Sequence, residues 1–397
     1  MLKPISLIVQ ISVFQLLSTC TAVEVLKKQS HFSKGQLMLG PYSFKEGNLV
    51  YALCDHQEPN VKCQVVQERP PYKETFRSCN ITLIPQQKNG EIQSSIGVAA
   101  LGKDRVILFW HETGAEEYLK IDTIKMDHRC QIYEAKVAKV SLPTYIELHH
   151  TNDILTYNDD TYDVIFQDVN RCGDKMCKMS INAEGEVIAE PTGYISSNKQ
   201  FISFVSPIAT RSSSKGFVYT RIDADESTLW IIKSDGKEKQ LTKYKKSAIS
   251  AVSAINNIIT SCIKPDMNTS MTCTQYDEDG KMKFTTNVTS IDEKTQILRV
   301  YSLAKGGFLM MTAKCETGIC SNAASGQIIR VDANGVEAGT FRLVDFESAI
   351  VERHWAHIYE NGEEKYCAAF IGEKRAQGQM EYLNVVVNCF NKADFQQ

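Results

Sequence analysis

The sequence predicts an all-β fold, a seven-bladed β-propeller with six or eight blades as alternatives, and three observations predict it. Short alternating or apolar runs are separated by turn residues, with little helical periodicity. Asp-Gly and Asn-Gly turns recur: KSDGKE around Gly236, DEDGKM around Gly280 and DANGVE around Gly335, with NAEGEV around Gly185 as a weaker member. Their intervals of 51, 44 and 55 residues suit a unit of four strands.

The segments around the turns repeat in order. LWIIKSDGKEKQLTKY, CTQYDEDGKMKFTTNV and IIRVDANGVEAGTFRL each read as strand, tight turn, strand. FVYTRIDA, NIITSCI and FLMMTAK precede them, and FISFVSPIA, AISAVSAI and ILRVYSLA come before those. The pattern is a four-stranded meander whose outermost strand is the most polar, as a blade requires when its inner strands are buried between neighbours. Asp-Gly and Asn-Gly pairs favour two-residue type I′ hairpins. Extending the period gives units near 35–90, 91–141, 142–193, 194–245, 246–293, 294–345 and 346–397. The last unit is one strand short, and VEVLKKQSHF near the N-terminus is the strand expected to complete it and close the ring.

Residues 1–22, MLKPISLIVQISVFQLLSTCTA, read as a secretory signal peptide. Lys3 gives a positive start, Ile5 to Leu17 is apolar with few interruptions, and Cys20 and Ala22 are small residues ahead of a cleavage site. That run is too short and too polar to span a bilayer. Residues 23–397 then form a single propeller domain, secreted and monomeric, without membrane insertion. The chain has 13 cysteines, and removing the leader leaves twelve. In an oxidising compartment these imply up to six disulfides. Cys54/Cys63, Cys172/Cys177, Cys262/Cys273, Cys315/Cys320 and Cys367/Cys389 each straddle a second-to-third strand hairpin, and Cys79 is paired with Cys130 across two units. Zinc is disfavoured because secreted thiolates are usually oxidised and no His cluster adjoins them. Asn80, Asn268 and Asn287 head sequons and are candidate glycosylation sites.

Function is less legible. A net charge of −3 argues against nucleic acid as the partner. G-x-S-x-G, H-E-x-x-H and Gly-rich phosphate loops are absent, as are the boxes of WD, kelch and sialidase propellers. No catalytic, cofactor-binding or metal-binding residue is assigned. His354 and His357, with His149 and His150, fall on innermost strands but point to different faces, so they read as structural or solvent-lining. Asn158 to Asp163 is oxygen-rich but lacks the Gly and closing Glu of a calcium loop. Lys233, Lys237, Lys239, Lys243, Lys245 and Lys246 form a basic row that could bind a sulfated glycan. Such a row more often protects a sheet edge from association.

The leader ending STCTA, the cysteine pairs KCETGIC and RCGDKMC and the polar tail FNKADFQQ together resemble the secreted salivary proteins of blood-feeding insects, mosquitoes in particular. The resemblance is one of overall layout and carries over no site residues. It implies action on a vertebrate host at the bite, by binding a mediator, a surface glycan or an immune-cell receptor. The leading expectation is a non-enzymatic binding protein whose partner is an extracellular protein, cell surface or glycan. A propeller glycosidase would need channel carboxylates, for which Glu147 and Glu352 are the clearest candidates; an extracellular structural component is the third reading.

Overall fold

The computed structural model describes residues 24–31, 36–43, 47–72, 75–134, 138–139, 154–156, 160–173, 175–196, 201–208, 216–222, 226–233, 235–245, 249–255, 257–264, 270–315, 323–344, 346, 356–362, 364–376 and 379–396. The leader, Cys320, Asn268, Lys246, His149, His150, His354, Glu147 and Glu352 lie outside them. No helix among the described residues is long and apolar enough to cross a membrane.

The strands pair into seven antiparallel sheets among the described residues, each open at its edges. Strand β1, Glu24–His31, belongs to the last of them. The first sheet is the meander β2 (Gln36–Ser43), β3 (Leu49–Gln57), β4 (Asn60–Glu68) and β5 (Thr75–Leu83). The second holds β6 (Glu91–Leu101), β7 (Arg105–Thr113), β8 (Tyr118–Lys125), β9 (Gln131–Glu134) and β10 (Ala138–Lys139). The third holds β11 (Ile154–Thr156), β12 (Tyr162–Gln167), β13 (Lys175–Ile181) and β14 (Val187–Ser196), with the one-turn helix α1 (Val169–Cys172) between β12 and β13. The fourth holds β15 (Phe201–Ile208), β16 (Gly216–Ile222), β17 (Glu226–Ile232) and β18 (Glu238–Lys245). The fifth holds β19 (Ile249–Ile255), β20 (Ile258–Ile263), β21 (Met271–Asp277) and β22 (Met282–Val288). The sixth holds β23 (Thr295–Ser302), β24 (Phe308–Cys315), β25 (Ala323–Val331) and β26 (Glu337–Arg342). The seventh runs β27 (Ala356–Glu360), β28 (Lys365–Ala376), β29 (Gln379–Asn391) and then β1, which pairs from Glu24 opposite Cys389 to His31 opposite Tyr382.

The sheets pack face to face, because strand side chains alternate between faces and the inner strands are apolar on both. Val106, Leu108 and Trp110 of β7 join Val50 and Ala52 of β3 in a layer between the first and second sheets. Ile107 and Phe109, on the other face of β7, meet Tyr162, Val164 and Phe166 of β12 in the next layer. Further layers join the fourth and fifth sheets, the fifth and sixth, the sixth and seventh, and the seventh and first. The first strands meet in chain order, β2 with β6, then β11, β15, β19, β23 and β27, and β27 also lies against β2.

Two details correct the sequence reading. The recurring turns are not type I′. In Asp277–Lys281 the Gly280 amide donates to the Asp277 carbonyl and the Asp277 amide to the Lys281 carbonyl, and only Gly280 has positive φ, at 72°. That is a type I turn closed by a glycine bulge. Asp277 selects it, since its Oδ1 accepts from the amides of Asp279 and Lys281 at 3.1 and 2.8 Å. Asp332 does the same for Asn334 and Val336, and Asn182 for Glu184 and Glu186.

In the second sheet β9 and β10 both pair with β8 along one edge, and residues 135–137 between them lie outside the described residues. The turn before β9 has no Asx-Gly pair and is tied elsewhere: Cys130 is bonded to Cys79 of the first sheet, and Arg77 donates to the Met126 carbonyl. Cys130 therefore sits in that turn and not on an outer strand.

Five disulfides join described residues: Cys54–Cys63, Cys79–Cys130, Cys172–Cys177, Cys262–Cys273 and Cys367–Cys389. Three of these join direct cross-strand partners, at Cα separations of 4.0, 4.1 and 4.1 Å. Cys315 is also disulfide-bonded, and its expected partner Cys320 lies outside the described residues. Cys79–Cys130 links two sheets and closes a span of 51 residues, against 11 for Cys262–Cys273. Chain entropy therefore ranks them: replacing both cysteines of Cys79–Cys130 with serine should destabilise by about 4 kcal/mol, and the same change at Cys262–Cys273 by about 3. Urea unfolding midpoints of the two double variants check the order.

Candidate functional site

Residues of β5, β7, β8, β9 and β14 and the Asn182–Glu186 turn line a cleft of about 690 Å³ between the first, second and third sheets. A Cβ added to Gly280 would lie 2.3 Å from Leu241 of β18, and one added to Gly335 would lie 2.9 Å from Phe284 of β22. The turns of the fifth and sixth sheets thus dock on the outer strand of the preceding sheet, whereas a Cβ on Gly236, in the turn of the fourth, would meet no described atom within 4 Å. Lys239 reinforces the first contact by donating to the Asp279 carbonyl at 2.9 Å, and Thr286 the second by donating to the Gly335 carbonyl at 2.5 Å. In the third sheet the buried Gly185 and the exposed Glu186 of the Asn182–Glu186 turn line the cleft. Arg105 of β7 holds this turn in place through Glu184 at 3.0 Å.

Carboxylates dominate the cleft. Asp122 of β8 and Glu134 of β9 are cross-strand partners, and Glu186 and Glu190 face them from the third sheet. Among the described residues Lys120 is the one cation of the lining, and its ammonium is 3.5 Å from the buried Glu112 carboxylate. Burial opposes ionisation of Glu112, but the amides of Gln87 and Gln86 together with Lys120 more than reverse this, holding its carboxyl below the usual range. Lys120 is thus largely committed to Glu112. Asp122 behaves oppositely: burial, then the neighbouring Glu134 charge, push its pKa up to about 7, with Lys120 only partly offsetting them.

The cleft also has apolar and donor character. Trp110 lines it at 5% exposed, and its indole N–H has no hydrogen-bond partner among the described residues. Ile84 lines the rim at 62% exposed. Ile132 of β9 and Ile188 of β14 are also exposed, at 42% and 53%.

The residues singled out in the sequence lie elsewhere. The basic row runs along the outer edge of the fourth sheet, and most of it is paired. Lys233 meets Asp279 at 2.5 Å, Lys237 meets Asp235 at 2.8 Å, and Lys243 pairs with Glu226. Asp279 and Glu226 are brought in from other strands, and Glu238 instead pairs with Arg221 at 2.9 Å. Lys245 is exposed at the end of β18. His357, on β27, is partly buried; burial, with Arg299 nearby, lowers its pKa to about 3, so it stays neutral. In the Asn158–Asp163 stretch, the Asp163 carboxylate accepts from Ser180 at 2.5 Å and pairs with Lys178 at 3.4 Å. No group of three or more metal-ligating side chains occurs among the described residues. Asn80 and Asn287 are exposed on the outer strands β5 and β22.

The acidic cleft was missed because Asp122 and Glu134 belong to no motif. No local signal marks them, because the cleft joins residues of three sheets.

No protein-family model and no curated protein matches the sequence. Among solved structures, the chain is similar to a prolyl endopeptidase at 9% identity and a TM-score of 0.48, over 86% of this chain and 46% of that one. The chain therefore spans less than half the length of that enzyme. It is similar to the β-propeller domain of the Trilobed protease from Pyrococcus furiosus at 12% identity and a TM-score of 0.48, over 92% of this chain and 100% of that one. An oligogalacturonate lyase in complex with manganese is similar at 10% identity and a TM-score of 0.43, over 91% and 99%.

The raised pKa of Asp122 has a stability consequence. The folded state favours the protonated carboxyl, so its contribution is full below pH 4 and is lost as pH rises through 7. Asp122→Asn removes that titration. Its stability relative to the wild type should rise between pH 4 and pH 8 by about 2 kcal/mol, solvent screening of a partly exposed carboxyl being allowed for. Urea unfolding at the two pH values measures the change.

Proposed function

We propose that the chain is a secreted, non-enzymatic binding protein, built as a seven-bladed β-propeller, that holds an extracellular partner at the acidic cleft. The cyclic order of first-strand contacts, returning from β27 to β2, supports the propeller, with β1 completing the last blade. The disulfides support an oxidising compartment.

One observation carries the binding function. The cleft's carboxylates project from strands and a turn of sheets that disulfides pin, Cys54–Cys63 in the first, Cys79–Cys130 between first and second, and Cys172–Cys177 in the third. A charged surface held this firmly loses little ordering entropy when it binds. The paired lysine row is the weaker candidate, because its cations already have acidic partners. The resemblance to insect salivary proteins adds a vertebrate host as the source of the partner.

The test is staining of host leukocytes with the labelled protein, beside a glycan array. The wild type should bind, and the charge reversals Glu134→Lys and Glu190→Lys together should weaken binding by about tenfold or more. Absence of binding to cells and glycans alike overturns the reading.

A second reading, a hydrolase, is favoured by Asp122 and Glu134. One is half protonated near neutral pH and the other lies across the ladder, as general acid and base chemistry requires. Turnover of polysaccharide or glycoside substrates that Asp122→Asn abolishes would support it over binding alone.

A further inference from the structure

Away from the cleft, two guanidinium groups converge on one aromatic ring. The guanidinium carbon of Arg69 lies 3.5 Å from the centre of the Phe76 ring, on β5, and that of Arg77 lies 4.6 Å from it. The two like charges are therefore no farther apart than those two distances together. Cation–π attraction holds each of them on the ring. Stacking occupies the flat face of a guanidinium and leaves its N–H edge for an anion. Arg77 uses one such donor on the Met126 carbonyl of the second sheet. Arg69 is exposed, and its guanidinium has no hydrogen bond or carboxylate partner among the described residues.

A third guanidinium is brought to the same corner. The turn between β8 and β9 is anchored to β5 at two points, by Arg77 on the Met126 carbonyl and by the Cys79–Cys130 disulfide. Arg129 lies between those anchors, exposed, with its Nε donating to His128 at 3.3 Å and its other N–H groups free of protein acceptors among the described residues. The carboxylate of this turn, Asp127, is already engaged: it is 3.7 Å from the Lys125 ammonium and accepts from the Arg129 amide at 2.8 Å. None of Arg69, Phe76, Arg77 and Arg129 lines the acidic cleft.

We infer that this outer corner of the first and second sheets binds a sulfated polysaccharide, one sulfate ester held by Arg69 and Arg77 and a further anionic group of the same chain at Arg129. The terminal oxygens of a sulfate ester meet guanidinium edges through charge-assisted hydrogen bonds. A repeating polyanion suits three cations spread over an exposed surface, where a single small ion would be screened and held weakly. The site is separate from the acidic cleft and does not rest on the function proposed for it.

The experiment uses the full chain with its disulfides intact. The probes are a fluorescein-labelled heparin oligosaccharide, its desulfated counterpart and inorganic sulfate. The heparin oligosaccharide should bind with an affinity that falls as salt is added, and the desulfated one should not bind. Arg69→Gln with Arg77→Gln should weaken binding about tenfold, and Arg69→Gln alone about threefold. Arg69→Lys with Arg77→Lys keeps both charges but loses the planar forks, and should also weaken binding about threefold. Lys237→Gln with Lys243→Gln, on the paired row of the fourth sheet, should change nothing.

Equal binding by wild type and the Arg69/Arg77 glutamine variant, or no binding up to ~1 mM, overturns the inference. A loss in the lysine-row variant as large as in the arginine variant overturns the location. Full binding by the double lysine variant overturns the assigned guanidinium contacts, and equal binding of the desulfated oligosaccharide overturns the sulfate. Inorganic sulfate that competes at the oligosaccharide's own concentration overturns the polysaccharide in favour of a small ion. Circular dichroism melts of each variant separate loss of the site from loss of the fold. Arg69→Gln alone, which gives up only the ring contact, keeps the test decisive if Arg77→Gln loosens the turn.

Discussion

Burial of the inner strands on both faces is the constraint from which the rest of this structure follows. A sheet packed on one side can keep a polar face for water, but β7 sends Leu108 and Trp110 one way and Ile107 and Phe109 the other. The core is therefore a series of thin layers, each owned jointly by two consecutive sheets, and no sheet completes its own burial. The last sheet shows why the N-terminal strand belongs where it is. Val385 and Val387 of β29 face the first sheet while Val386 and Phe390 face the sixth. An edge left open beside such a strand would expose unpaired backbone next to apolar surface, and β1 supplies the missing ladder.

Between the fifth and sixth sheets, polar groups enter the layer with hydrogen bonds to one another. Gln275 of β21 donates to Thr260 at 3.0 Å and to the Gly307 carbonyl at 2.9 Å, and accepts from the Gly307 amide at 3.1 Å. Ser302 adds contacts to Thr260 and Ser253 across the same pair of sheets. Towards the outer edges this packing thins, and other devices hold neighbours together: glycine turns docked on the preceding outer strand, ion pairs such as Lys233–Asp279, and disulfides. The edges are thus where the architecture tolerates variation.

The legible part of the sequence was the part governed by period and turn chemistry. All-β character, the three Asx-Gly turns and the cross-strand cysteines follow from local rules, and register then brings Cys54 to Cys63 and Cys262 to Cys273. The turn type was misread because the Asp-Gly pair draws attention to two residues. The deciding contacts come from Asp277 and Asp332, one position before the turn's central residues. The lysine row looked free because its acids lie far off in sequence: Asp279 is on the next sheet and Glu226 at the start of β17. The cleft was illegible for the same reason, since it joins residues from β5 to β14 that only inter-sheet packing brings together.

The position of the cleft follows from the opening constraint. Two-sided burial reserves the inner strands for apolar side chains, so a cluster of carboxylates can form only where a sheet ends. In the second sheet Cys79 and Arg77 hold the turn before β9 to the first sheet, and β9 pairs with β8 beside the cleft. Asp122 is consequently caught between environments. Its neighbour Ile121 belongs to the core layer with the third sheet, and Ile124, on its own face, belongs to the layer with the first. Full exposure would have left an ordinary carboxylate. Burial there instead keeps a poorly hydrated acid beside a second one, Glu134, in a cleft between three sheets.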